Sequence, residues 1–175
     1  TLTATPIPRT LQQSLVGIRD TSKIETPPQN RLPISTRVVR FNWSLVSTAI
    51  KKELSRGGQV YFVNNDIKSL GFYKEKVVEL VPGASVGIAH SKMTSQSLEG
   101  VVLAFFSGTI NVLVCTSIVE SGLDVQNANT MIINGAQNFG LSQLYQIRGR
   151  VGRGGVRAFC FLCVPKNHKL SKDSF

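Results

Sequence analysis

Short apolar runs alternate with stretches of helical period along most of this chain, and that alternation constrains the fold more than any other feature. Residues 36–41 alternate like a strand, and residues 59–63, 86–89, 111–115, 130–133 and 158–164 are β-rich apolar runs. Between them, residues 43–56 carry Leu45, Ile50 and Leu54 at helical spacing and stop at Gly57-Gly58, a helix C-terminal signal. Residues 67–80, interrupted by Gly71, end before Pro82-Gly83. Residues 95–106 set Leu98, Val101, Val102, Phe105 and Phe106 on one face, and residues 141–148 give a fourth helix. Continuous apolar strands must be covered on both faces, and strands linked through helices pair in parallel. The expected fold is therefore α/β: a three-layer, mostly parallel sheet with helices on both faces.

The first 33 residues are a different material. They hold five of the seven prolines, and residues 26–31 read as an extended linker, with only a brief helix plausible at 9–15. The expected division is an irregular lead-in over 1–33 and one domain over 34–175. With neither an initiator methionine nor a signal-peptide pattern at Thr1, the chain reads as a piece of something longer. No apolar run reaches the ~18 residues of a membrane span.

Charge is lopsided, with 20 Lys+Arg against 10 Asp+Glu and a formal net of +10. That excess favours a polyanionic partner through phosphate neutralisation and steering. Cys115, Cys160 and Cys163 sit inside apolar runs and read as buried small hydrophobes. Cys160 and Cys163 have C-x-x-C spacing, but in a strand residues three apart face opposite sides. No second Cys/His pair completes a zinc site, so no metal is expected.

The densest chemistry lies at residues 148–153, where Arg148, Arg150 and Arg153 alternate with Gly149, Val151 and Gly152. Arginine is always charged and offers a planar fork matched to phosphate oxygens, and glycine lets a polyphosphate approach the backbone. The cluster stands between a helix and an apolar strand, which makes it a phosphate or nucleic-acid site ahead of a solvated basic loop. In open parallel sheets ligands bind outside the carboxyl ends of the strands. The loops after Val63, Ala89, Cys115 and Ile133 then form one neighbourhood, to which the arginine cluster is added. Amides, hydroxyls, one histidine and basic groups suit a phosphodiester backbone and a nucleotide, not a hydrolytic triad.

Three blocks carry a family resemblance. Thr3-Ala4-Thr5-Pro6 with Ile7-Pro8-Arg9-Thr10, then Val114 through Val125, then Gln146 through Arg153, resemble motifs III, V and VI of superfamily 2 helicases in order. The extended wording, including Phe139-Gly140-Leu141-Ser142-Gln143-Leu144, is similar to transcription-repair coupling factors and to RecG-type branch-migrating helicases. The resemblance implies the second RecA-like motor lobe from about residue 34, preceded by the tail of the first lobe. ATP and magnesium would then be held mainly by that first lobe. It implies Arg153 as arginine finger, with Arg150 beside it. Gln146, Gly122 and Asp124 complete the nucleotide side. Thr116, His90, Asn64 and Arg9 are implied near DNA, with Thr3 and Thr5 coupling hydrolysis to movement. A strand-end histidine at 90 also fits a structural part, as Asn64 fits an ordinary turn. Ser91 stands where the family's pattern has glycine.

The implied whole is an ATP-driven double-stranded DNA translocase in transcription-coupled repair. Its partners would be its own first lobe and, through other domains, RNA polymerase and excision-repair proteins. A bacterial cytoplasm or an organelle of bacterial descent both fit. A RecG-type fork-remodelling helicase is the first alternative. A degenerate lobe acting only as a nucleic-acid-binding module is the second. No G-x-x-x-x-G-K-[ST] sequence and no Asp-Glu-x-His or Asp-Glu-x-Gln block occurs in the chain. These 175 residues alone are therefore expected to hydrolyse ATP negligibly.

Overall fold

A computed structural model of the chain describes residues 32–117 and 125–167. The expected lead-in helix at 9–15, and nearly all of the proline-rich segment, lie outside the described residues. Six strands and four α-helices alternate: β1 Ser35–Arg40, α1 Trp43–Ser55, β2 Gln59–Asn64, α2 Leu70–Leu80, β3 Val86–Ala89, α3 Ser95–Phe106, β4 Val112–Cys115, β5 Ala128–Asn134, α4 Leu141–Arg148 and β6 Phe159–Val164. The strands form one sheet in the order β1-β6-β5-β2-β4-β3, and every neighbouring pair is parallel. The mostly parallel sheet read from the sequence is wholly parallel among the described residues.

Strand alternation divides the core between two faces. Val60 and Phe62 of β2, Val112 and Val114 of β4, and Ile132 of β5 pack with Val46 and Ile50 of α1 and Leu70 and Val77 of α2. Tyr61 and Val63, Leu113 and Cys115, and Met131 and Ile133 pack on the other side with Phe105 of α3 and Ile147 of α4. Every residue of β2 is buried, which suits a central strand covered from both sides. Each such aliphatic side chain taken out of water stabilises the fold by about 1.5–3 kcal/mol before entropy is charged against it. Cys160 and Cys163 fall in opposite clusters, as their strand spacing requires.

Two elements differ from expectation. The helix expected over 67–80 opens as a 3₁₀ turn, Ile67–Ser69, because the Asp66 side chain accepts from the Lys68 N–H and starts the chain tightly. Strand β5 begins at Ala128, earlier than the apolar run at 130. The polar residues Asn127 and Asn129 resemble a turn, but Gln59 N–H donates to the Asn127 carbonyl at 2.8 Å and extends the ladder with β2.

Helix α1 ends in a tight construction. Its residue Glu53 is 1% exposed, and a Cβ built on Gly58 would lie 1.7 Å from Glu53 Oε1. Gly58→Ala therefore forces the carboxylate or the backbone to move and should cost about 1–3 kcal/mol of stability, as overpacking does. Denaturant unfolding of the two proteins measures it, and an unchanged midpoint would contradict this packing.

Candidate nucleotide and nucleic-acid sites

All six strands point the same way, so the carboxyl ends share one edge of the sheet and the amino ends the other. At the carboxyl edge the strand order reverses between β2 and β5, the place where open parallel sheets usually leave a crevice. Here side chains close it. Asn134 Nδ2 donates to Asn64 Oδ1 at 3.0 Å and lies 2.8 Å from the Tyr73 hydroxyl. Asn64 Nδ2 in turn donates to the Asp66 carbonyl at 3.2 Å and to Ser69 Oγ at 2.8 Å.

The structure turns the side chain of Asn64, expected near DNA, into the fold. Its side chain is buried at 7% exposure and both ends of its amide are committed inside the fold. Asn65, next along, is exposed. His90 is half-buried, and its Nδ1 accepts from the Lys92 N–H at 3.2 Å, so the ring closes its own turn and keeps only Nε2 for other work. Thr116 is buried, and its N–H donates to the Ala89 carbonyl at 3.2 Å, which joins the ends of β3 and β4. The structure thus brings Asn65, His90 and Thr116 to one edge, with Lys92 exposed beside them.

The arginine loop is not at that edge. Helix α4 returns antiparallel to the strands, over about 12 Å for its eight residues. It delivers residues 149–158 to the start of β6, at the amino edge. Ala158 accepts from the Ser35 N–H at the start of β1, and a Cβ on Gly152 would sit 2.9 Å from that of Ala158. A Cβ on Gly154 would stand 2.7 Å from the carbonyl oxygen of Gln126, just before β5. The single neighbourhood expected from the sequence is therefore two, on opposite edges. The physical reason is the crossover: residues that follow a strand stay at its carboxyl end, and residues that precede one lie at its amino end.

Within the loop, Val151 is fully buried and Gly152 takes φ 76°, a left-handed conformation that favours glycine. The buried valine and glycine pin the chain, and exposure resumes at Arg153. Arg150 is half-buried and Arg153 exposed, with Arg153 Nη2 3.5 Å from the Gly149 carbonyl. Gln146 is half-buried on α4. Arg148 is half-buried with its guanidinium 4.6 Å from the centre of the Tyr145 ring. Gly122, Asp124, Thr3, Thr5 and Arg9 lie outside the described residues. Sequence reasoning missed Arg56, which meets the far end of this loop at the Arg157 carbonyl, and Glu53, which pairs with Arg56; an i,i+3 Glu/Arg pair reads as an ordinary surface ion pair.

A parallel α/β lobe that carries a strand-end polar edge, and an arginine–glycine loop at the opposite edge, has the architecture of a helicase motor lobe. The chain belongs to the helicase conserved C-terminal domain family, whose profile matches residues 44–155. It is 52% identical over 174 residues to the transcription-repair-coupling factor of Myxococcus xanthus, covering 99% of this chain and 14% of that protein. To the transcription-repair-coupling factor of Bacillus subtilis it is 50% identical over 172 residues, covering 98% of this chain and 15% of the relative. The chain thus spans about a seventh of the length of these relatives. A solved structure of RecG bound to a three-way DNA junction superposes with a TM-score of 0.79 at 36% identity, covering 98% of this chain and 23% of that one. No helix among the described residues is long and apolar enough to cross a membrane.

Two measurements test these assignments. Asn64→Ala removes hydrogen bonds to Asn134 Nδ2, the Asp66 carbonyl and Ser69 Oγ, so it should lose about 1–3 kcal/mol of unfolding free energy. Asn65→Ala should stay within about 0.5 kcal/mol. Equal effects on the two midpoints would refute the clamp. Burial pushes the thiols of Cys160 and Cys163 up to about 12 and raises Cys115 further, with Arg148 partly offsetting the effect at Cys160. Only ~10⁻⁴ of such a group is thiolate at pH 8. A disulfide reagent at that pH should find none of the three cysteines in the native chain and all three after denaturation. Rapid native reaction would point to a redox or metal role instead.

Proposed function

We propose that the chain is the second motor lobe of an ATP-dependent double-stranded DNA translocase acting in transcription-coupled repair. The observation that carries this reading is the packing of the arginine loop on Gln126, at the end of the segment that resembles motif V. The same segment starts at Thr116 beside the carboxyl-edge polar residues, so one connection runs from a nucleic-acid edge to a nucleotide edge. The high identity to transcription-repair-coupling factors supports the narrow assignment over a RecG-type parent.

The donor chemistry of the loop fits a nucleotide's phosphates. Two guanidinium groups stand on a backbone that glycines hold close to its neighbour, and neither has an acidic residue within the loop to repel a phosphate. ATP, with magnesium on the first lobe, would supply a phosphoryl group whose transfer releases the free energy for movement. Arg153 would stabilise the negative charge that develops on that group, Arg150 would hold the neighbouring phosphate oxygens, and Gln146 would couple the loop to α4. Asp124 and Gly122 would complete the nucleotide contact. At the other edge Thr116, His90 and the Asn64-Asn65 turn would lie along the DNA backbone, together with Arg9, and Thr3 and Thr5 would couple hydrolysis to movement, over a division at about residue 34. RNA polymerase and excision-repair proteins would be partners of the whole protein, in a bacterial cytoplasm or an organelle of bacterial descent.

In the full-length protein, Arg153→Ala should lower kcat of DNA-stimulated ATP hydrolysis about 10³-fold or more while DNA affinity without nucleotide is kept. A loss under tenfold would exclude the finger role. Retention of salt-sensitive DNA binding together with no hydrolysis in the unaltered full-length protein would favour the binding-module reading.

A further inference from the structure

Residues 149–157 include Gly149, Gly152, Gly154 and Gly155, so the loop's own sequence does little to hold a guanidinium still. Its first half is fixed from within. Arg150 and Val151 N–H groups donate to the carbonyls of Ile147 and Arg148, and the Val151 side chain is fully buried. Its second half is held from outside by a residue 101 positions away.

Arg56, just after α1, donates from Nη1 to the Arg157 carbonyl at 2.9 Å. The same guanidinium donates from Nη2 to Glu53 Oε2, and its centre lies 5.5 Å from the Phe159 ring. Glu53 Oε2 also accepts from Thr130 Oγ1 of β5. Glu53 is 1% exposed, and Gly58 supplies the space its carboxylate occupies. Burying a carboxylate is costly unless it is paired, and an apolar side chain would fill this position at less cost. What the carboxylate adds is direction: it holds the Arg56 fork so that its other nitrogen meets the loop. A planar guanidinium can span a carboxylate and a carbonyl at once, which a point-charge ammonium does less well.

We infer that Arg56, oriented by Glu53 and Thr130, is a positioning residue for Arg153: it fixes the distal end of the arginine loop so that the finger is presented in one geometry. This rests on the reading of Arg153 as the group that acts on the nucleotide. The bond to Arg157 goes beyond neutralising Glu53 and ties the end of α1 to the loop.

The test is a double-mutant cycle on DNA-stimulated ATP hydrolysis in the full-length protein, with folding followed by circular dichroism. Arg56→Met should lower kcat about tenfold with KM for ATP within about twofold, because small misplacements of a reacting group are costly. In an Arg153→Ala background the same substitution should change kcat by less than about twofold, since residues that act as one unit are not additive. Glu53→Gln, which keeps the shape and drops the charge, should show the same non-additivity with a smaller fall. Equal falls in both backgrounds, or an unchanged kcat in folded Arg56→Met protein, would overturn the inference. An unchanged kcat in Arg153→Ala alone would instead refute the finger reading, and this inference with it.

Discussion

A parallel sheet starts every strand at the same edge, and this constraint decides where each functional group of the lobe can lie. The chain must return from carboxyl edge to amino edge after every strand, so each connection has a first half at one edge and a second half at the other. His90 and Thr116 come directly after strands, whereas Arg150 and Arg153 come directly before one. A six-residue strand spans ~20 Å. The polar edge and the arginine loop are thus held apart by a rigid layer, and no side-chain rearrangement could merge them.

That separation gives the β4–β5 connection its meaning. It leaves the carboxyl edge at Thr116, bonded to the end of β3, and arrives at the amino edge where Gln126 meets Gly154 and Asn127 pairs with Gln59. Gln59 is tied in further, donating from Nε2 to the carbonyls of Phe105 and Ile110. One covalent segment therefore touches both edges, on the flank of a central strand buried throughout.

The layers and the alternation of elements were legible because burial on both faces writes itself as unbroken apolar runs. Polar strand residues were not. Asn127 and Asn129 carry a turn's composition; Asn127 remains a turn ahead of β5, and Asn129 enters the strand where the register against β2 shifts. The identity of the arginine cluster was legible from its residues, since no other side chain offers that fork. Its location was not, because the rule that ligands gather at carboxyl ends says nothing about a cluster whose position is set by the following strand. Asn64 shows the same limit from the other side. A polar residue at a strand end looks available in sequence, but the distant Asn134 and the nearby Asp66 carbonyl and Ser69 hydroxyl engage its amide. Glu53 and Arg56 look like a surface pair until Thr130 and Arg157 arrive from far along the chain.

The closed crevice explains why neutral amides, not acids, stand at the switch point. A pair of carboxylates there would be buried against each other and would repel, whereas two amides each offer both a donor and an acceptor and satisfy one another. In a chain with a net charge of +10, an amide clamp also leaves the basic groups nearby unneutralised. The one deeply buried acid among the described residues, Glu53, faces the opposite end of the sheet, where Arg56 and Thr130 absorb its charge. Buried negative charge is thus used where it can orient a guanidinium. The two neutral amides at one edge and the paired carboxylate at the other thus satisfy their buried polar groups in different ways.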